Sequence, residues 1–385
     1  MKEKLVMPDY ENSILNLINS ILKYYKVETK YKGLNQLKNY LKKDYKNIVL
    51  IILDGMGYNI LKDNSPDGFF MENNIDKITS VCPSTTTAAM TTYYSGRPPI
   101  ETGWIAMSQY YKEHGREIET LRERYTYTGE MLDNSRFNIM ELMKYTPVYE
   151  KIENTQSNVK AYEINPAHCR KLSKRNIVAN TVELLCDSIK AICNNNERNF
   201  ILAYNDNPDI LLHKHGCKSD EVSNFIKDAE ENIKKMCEQL KGTDTLILIS
   251  ADHGHKDIEK VYNVLELEDI QNCLIMPPSL ESRAVTFWVK EDKKKIFEEI
   301  FNEKFKEEFI LYTKEEFLEK KLLGDGIKHK KVDDFIGNYI AIATGGAIIK
   351  LDSNIGKLKS NKKATHCGFT KYEMEVPLIV LDTNK

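Results

Sequence analysis

The sequence predicts an α/β fold with a mainly parallel central sheet flanked by helices, and a small α+β subdomain inserted late in the chain. Three observations carry that prediction. Short, unbroken apolar runs at 47–53, 200–204, 245–250 and 376–381 read as strands buried on both faces, the mark of a parallel sheet. Helical patterns fall between these runs, giving the alternation from which βαβ units are made. After His255 the texture changes to a Lys/Glu-rich stretch broken by short apolar pieces.

In chain order, Ile14, Ile18, Ile21, Leu22 and Tyr25 recur at helical spacing and predict an opening helix within 10–26. The first strand, 47–53, runs into Asp54-Gly55-Met56-Gly57. A short extended segment at 78–81 leads to Cys82-Pro83-Ser84-Thr85-Thr86-Thr87 and then Ala-rich sequence, a pattern that reads as a helix N-terminus. Residues 104–199 are more polar, with a helix at 180–195. Strand 200–204, a helix over 219–241 and strand 245–250 follow. The inserted subdomain, 265–330, holds an extended piece at 284–289, a helix at 291–307, a strand at 308–312 and a helix at 314–322. Segments 1–264 and 331–385 then form the α/β core, closing through 339–343 and the strand 376–381.

Composition narrows the function classes. The 385 residues are ample for a packed core. A net charge of −2, with 29% charged residues, gives no reason to expect a nucleic-acid scaffold or an anionic membrane as partner. No run approaches the roughly 18–20 apolar residues of a membrane span, and the start lacks the apolar stretch of a signal peptide. The eight cysteines form no Cys-x-x-Cys pair and read as reduced, mostly buried thiols, so the expected location is cytoplasmic.

The chemistry sits just beyond the apolar runs, where open α/β sheets bind their ligands. Asp54-Gly55 alone is a common turn dipeptide. Asp209 and His213 stand four apart, on one face of a helical turn, and could grip one cation. Asp252-His253-Gly254-His255 follows a buried strand directly, and a buried Asp-His pair needs partners for its polar atoms. His255 and His215 read as supporting or surface residues. His366, in Thr365-His366-Cys367-Gly368, reads equally as a ligand or a loop histidine. The hydroxyls of 84–87 either cap a helix or, beside metals, supply a nucleophile whose pKa a cation lowers. Tyr110, Tyr111, His168 and the basic stretch 170–175 are candidates for loops that face substrate, against a plain solvated loop.

Together these segments resemble the alkaline phosphatase superfamily, in particular its nucleotide pyrophosphatase/phosphodiesterase branch. They are Asp54-Gly-Met-Gly57, Pro83-Ser-Thr-Thr86-Thr, Ser95-Gly96-Arg-Pro-Pro-x-Glu-Thr-Gly103, Asp209-x-x-x-His213-x-x-Gly216, Asp252-His253-Gly254-His255 and Thr365-His366-Cys-Gly368, in family order. The resemblance implies an alkaline-phosphatase-like sandwich and two divalent metal ions, zinc by the Asp/His ligand set with manganese as the alternative. It assigns Asp209, His213 and His366 to one metal, and Asp54, Asp252 and His253 to the other. The nucleophile falls on Thr86, also beside the second metal, with Thr85 and Thr87 as fallbacks. The implied activity is that of a two-metal phosphoester hydrolase, a phosphodiesterase or nucleotide pyrophosphatase, acting on a small phosphorylated substrate, a nucleotide among the candidates, through a phosphothreonine. Phosphomonoester hydrolysis, phosphonate hydrolysis or a mutase reaction would use the same site, and an inactive metal-stabilised binding module is the non-enzyme alternative. One departure stands out. Met107 occupies the place of an asparagine that donates to the phosphoryl oxygen, and a thioether cannot do so. Either Gln109 or a residue elsewhere takes its place, or the substrate is bound differently. The sulfatase pattern, Cys-x-Pro-x-Arg, is absent, since Cys82 directly precedes Pro83.

Overall fold

The computed structural model describes residues 4–133, 135–350 and 361–384. Its centre is the run Asn47–Leu53, buried at every position and rich in β-branched side chains that suit a two-sided packed strand. It pairs in parallel with Arg198–Asn205 on one side and Thr245–Ser250 on the other. The seven-stranded sheet runs in the order 74–79, 375–382, 245–250, 47–53, 198–205, 159–165, 175–178. Its pairs are parallel except those made by Glu375–Asp382, which lies antiparallel to both neighbours. The expected mainly parallel sheet is therefore present, and one apolar cluster joins it to the helices Ile14–Tyr24, Val182–Cys193 and Asp220–Gln239. Thr181 and Ser219 cap the last two, their side-chain oxygens accepting from Leu184 N and Val222 N.

Two strands of this sheet, Val159–Asn165 and Arg175–Val178, fall inside the segment read from sequence only as polar. The reason is Glu163, a fully buried carboxylate that accepts from Leu172 N, Ser173 N and Asn176 Nδ2 and so breaks the apolar pattern.

A second seven-stranded sheet is antiparallel, in the order 309–313, 339–343, 284–287, 279–281, 108–111, 116–119, 124–125. Strands from 265–330 supply its middle, but it reaches past that segment at both ends, taking Ser108–Tyr111 from upstream and Tyr339–Ala343 from downstream. Phe297, Phe301 and Phe305 of the helix Lys294–Phe305 pack with Phe287 and Tyr339 of this sheet. The single pairing Leu280↔Ser108 continues the sheet into the chain that follows the Thr86 helix. No helix among the described residues is long and apolar enough to cross a membrane.

Candidate metal centre

Three adjacent strands of the central sheet, 198–205, 47–53 and 245–250, end side by side, and their ends deliver the aspartates. Backbone bonds fix the spacing. Asp54 N donates to Asn205 O, Asp209 N to Asp54 O at 2.8 Å, and Gly55 N to Asp252 Oδ1 at 3.1 Å. Asp209 opens the helix Asp209–His215, which brings His213 back over it. His366 arrives separately: Lys256–Asp257 pairs antiparallel with Ala364–Thr365, setting His366 beside His255. Close approach of the loops requires glycine. A Cβ on Gly254 would lie 2.0 Å from the Tyr372 carbonyl oxygen, and one on Gly57 2.7 Å from Gly254 Cα.

Two donor groups result, each with its ligand atoms within 4.8 Å of one another: Asp54, Asp252 and His253, and Asp209, His253, His255 and His366. His253 belongs to both. His213 stands next to the second group, its Nε2 3.4 Å from Asp209 Oδ1 and 3.0 Å from Lys362 Nζ. The family resemblance groups Asp209 with His213 and His366; in the structure His255 takes the closer place, its Nε2 2.6 Å from Asp209 Oδ1 and its ring fully buried. His255 is thus no surface residue, whereas His215 is partly exposed and pairs with Glu221.

Hydrogen bonding fixes the tautomers. The Nδ1 of His213, His253 and His366 faces a backbone carbonyl, of Ala364, Gly254 and Ser84 respectively, at 2.8, 3.1 and 3.1 Å. A carbonyl only accepts, so each Nδ1 carries a hydrogen and the Nε2 of each ring is the atom left to meet a cation, the orientation metal-binding imidazoles adopt. Burial holds His213, His255 and His366 below the ordinary histidine pKa, His255 at about 3. Burial, and then the charges of Asp252 and Asp209, push the Asp54 carboxyl well up. For Asp209 burial works the same way, but the surrounding His213 and His255 outweigh it and hold the group low. Asp54 Oδ1 and Asp252 Oδ2 are buried with no hydrogen bond among the described residues, and lie 3.5 and 3.3 Å from His253 Nε2. Three lone-pair atoms converging in a dry site repel one another, and a cation relieves this. The donor set fits a divalent metal.

The helix Thr86–Ser95 aims its first residue at these donors. Thr86 Oγ1 lies 3.3 Å from Asp54 Oδ2 and 3.2 Å from His253 Nε2. Thr85 instead donates to Glu281, and Thr87 Oγ1 is buried without a hydrogen bond among the described residues, so the hydroxyl at this site is that of Thr86. Tyr204, at the end of its strand, donates to Asp54 Oδ2; five residues ahead of Asp209, it carried no signal in the sequence beyond that place.

A model of the type I phosphodiesterase/nucleotide pyrophosphatase family matches residues 48–369. The chain belongs to that family. Solved structures of similar fold include an inactive variant of murine ectonucleotide pyrophosphatase/phosphodiesterase 5 in complex with AMP, 16% identical over 87% of each chain with a TM-score of 0.62. The human ectonucleotide pyrophosphatase/phosphodiesterase 5 is also 16% identical, over 88% of this chain and 89% of its own, at a TM-score of 0.62. Phosphonoacetate hydrolase from Sinorhizobium meliloti 1021, in complex with phosphonoacetate, is 15% identical over 87% of this chain and 89% of its own, again at 0.62. A search of curated proteins by sequence gives no significant match. Family membership supports a phosphoester hydrolase, on the alkaline-phosphatase-like fold that the structural likenesses show.

In this family member the surroundings of the hydroxyl differ from what the sequence suggested. Gln109 is fully buried and committed elsewhere: its Oε1 accepts from Ile105 N and Ala106 N, and its Nε2 donates to Gly103 O. It staples the turn before Met107 and offers nothing to a substrate. Met107 N instead donates to Glu281 Oε1 at 2.6 Å. Of the proposed substrate-facing residues, Tyr111 is buried against Phe335 and Phe137, and Arg170 and Arg175 are held by Glu123 and Glu153. Tyr110 packs on Trp288, and His168, mostly exposed, lies 3.6 Å from Asp206.

Proposed function

We propose that this protein is a two-metal phosphodiesterase or nucleotide pyrophosphatase that works through a phosphothreonine at Thr86. The observation that carries the reading is the position of Thr86 Oγ1, within 3.3 Å of both Asp54 Oδ2 and His253 Nε2, where the two donor groups meet. Asp54, Asp252 and His253 would hold one metal. Asp209 and His366, with His213 or His255 completing the set, would hold the other. Carboxylate and imidazole donors suit zinc, with manganese as the alternative. When bound, two divalent cations supply the positive charge that stabilises the entering and departing oxygens of an in-line displacement.

The chain's own groups supply the rest. Thr86 Oγ1 attacks phosphorus, and its hydrogen has an acceptor in Asp54 Oδ2. The bond from phosphorus to the departing oxygen breaks as the new one forms, leaving the phosphoryl group esterified to Thr86. Water then cleaves that ester and restores the hydroxyl. Tyr204, donating to the same carboxylate oxygen, fixes the orientation of Asp54. Support for a small phosphorylated substrate comes from the relatives, one solved with AMP and one with phosphonoacetate. Support for the threonine comes from the inactive murine variant, in which alanine replaces a threonine.

Hydrolysis of bis(p-nitrophenyl) phosphate tests the proposal. Turnover is expected to vanish with a chelator and to fall by about three orders of magnitude or more in Thr86→Ala, which should keep its metal. Thr86→Ala turnover near wild type would overturn the nucleophile assignment, and elemental analysis of the loaded protein identifies the metal. We also place the protein in the cytoplasm, supported by eight free cysteines with no disulfide among them; native-level fractionation checks this.

A further inference from the structure

The second sheet sends one charged side chain to the nucleophile. Glu281 ends the strand Ser279–Glu281. Its Oε1 accepts from Thr85 Oγ1 at 2.9 Å and from Met107 N at 2.6 Å. Thr85 is the N-cap of the Thr86 helix, so the carboxylate is fixed one residue from the candidate nucleophile. Burial pushes the Glu281 carboxyl up, while these two hydrogen bonds and the charge of Lys362, whose Nζ lies 3.0 Å from His213 Nε2, favour the carboxylate.

A carboxylate there changes the electrostatic balance of the site. Two divalent cations facing Asp54, Asp209 and Asp252, with Lys362 beside them, leave a surplus of two positive charges, and Glu281 reduces it to one. A phosphodiester, or the inner phosphorus of a nucleotide anhydride, carries one negative charge. A phosphomonoester near pH 8 carries two, since its second ionisation falls near pH 6. Resting on the two-metal reading above, we propose that Glu281 is a specificity-determining residue that disfavours doubly charged phosphomonoesters and favours singly charged, doubly esterified phosphorus. A half-buried like charge near a developing anion weakens binding of each added negative charge, and a local dielectric below that of water enlarges the difference.

Glu281→Gln isolates the charge, because the glutamine carbonyl still accepts from Thr85 and Met107. The readout is the ratio of kcat/KM for p-nitrophenyl phosphate to that for bis(p-nitrophenyl) phosphate, at pH 8 on metal-loaded protein of verified metal content. The ratio is expected to rise about tenfold or more in Glu281→Gln. Glu281→Ala, which also loses both hydrogen bonds, should lower both rates yet move the ratio the same way. A ratio within about twofold of wild type in both variants, with the two rates falling in parallel, would reduce Glu281 to a structural cap and overturn the proposal. A wild type that is active on the diester while the ratio stays unmoved refutes this inference alone. A metal-loaded wild type inert to both esters refutes the two-metal hydrolase reading, and this one with it.

Discussion

Arg283 and Glu373 form a fully buried ion pair that ties the second sheet to both ligand loops, and replacing Arg283 by methionine should show how much of the site depends on it. Arg283 Nε and Nη2 donate to the two oxygens of Glu373 at 2.6 and 2.8 Å, and Nη1 and Nη2 donate to the carbonyls of Ala347 and Gly345. Glu373 also accepts from Gly368 N and Thr370 Oγ1 through its carboxylate, and from Gly254 N through its backbone carbonyl. One residue therefore anchors the loop of His366 and the loop of Asp252 and His253. Arg283→Met leaves a buried carboxylate with two donors and two carbonyls without their partner. Breaking such a pair from one side costs about 3–5 kcal/mol. At an m-value of about 3 kcal/mol/M in urea, the midpoint should fall by roughly 1 to 1.7 M. The unfolding should be followed on chelated protein, so that metal binding contributes nothing to the difference. Arg283→Met combined with Glu373→Met should be less damaging than the sum of the single changes by about 2 kcal/mol or more, because the stranded charge is gone. Metal affinity in Arg283→Met should drop by about 10–100-fold, as loss of a ligand's support does elsewhere. A loss of stability below about 1 kcal/mol, or strict additivity in the double variant, would refute the reasoning.

Two more expectations concern close packing and charge. In Gly254→Ala the new Cβ meets the Tyr372 carbonyl oxygen at 2.0 Å, a backbone atom that cannot swing aside, so the loop of Asp252 and His253 must move away from the Tyr372 segment. Calorimetric titration should find metal binding weakened by about 1–3 kcal/mol; wild-type affinity would mean that the loops tolerate the shift. Glu117, buried on Arg116–Glu119, has its carboxyl pushed up to about 7 by burial, with Glu281 adding to the effect. The folded state holds that proton more tightly than the unfolded chain, whose value is near 4.5. Its contribution is thus fully present below about pH 4.5 and lost as pH rises through 7. Glu117→Gln should gain on wild type by about 3 kcal/mol between pH 4.5 and pH 8, read from denaturation midpoints, and a gap that stays flat with pH would contradict the assignment.

How much was legible in the sequence follows from where each feature gets its partners. The strands 47–53 and 245–250 stand where the apolar runs put them, because a strand buried on both faces writes its burial into consecutive residues. Asp54, Asp209 and Asp252-His253 follow such strands directly or by a short loop, so the rule that ligands gather at the carboxyl edge singles them out as candidates, and the structure brings them together. His366 was ambiguous because a two-residue pairing to Lys256–Asp257 places it, and two residues carry no periodicity. The second sheet was half seen for a similar reason. Its strands 108–111, 116–119 and 124–125 are short and mixed in polarity, and they join the rest through one paired position.

What escaped the sequence altogether shares a single cause. Glu281, Arg283 and Glu373 are charged residues that act through partners 90 to 196 positions away, and each alone reads as an ordinary surface side chain. An isolated glutamate in a polar stretch is solvated in most chains, so nothing local marks Glu281 as a half-buried partner of the residue before the candidate nucleophile. Burial turns such residues from surface decoration into costly groups that persist only with partners, and the partners are what the fold supplies. Glu281 and Arg283 lie two residues apart, at the end of one strand and in the turn that follows, yet one holds the Thr86 helix and the other holds the His366 loop. A shift of that strand end would move the candidate nucleophile and the candidate metal ligands together. The second sheet is therefore a structural part of the candidate centre, and deleting it as a dispensable insertion would remove the support that sets Thr86 against the two donor groups.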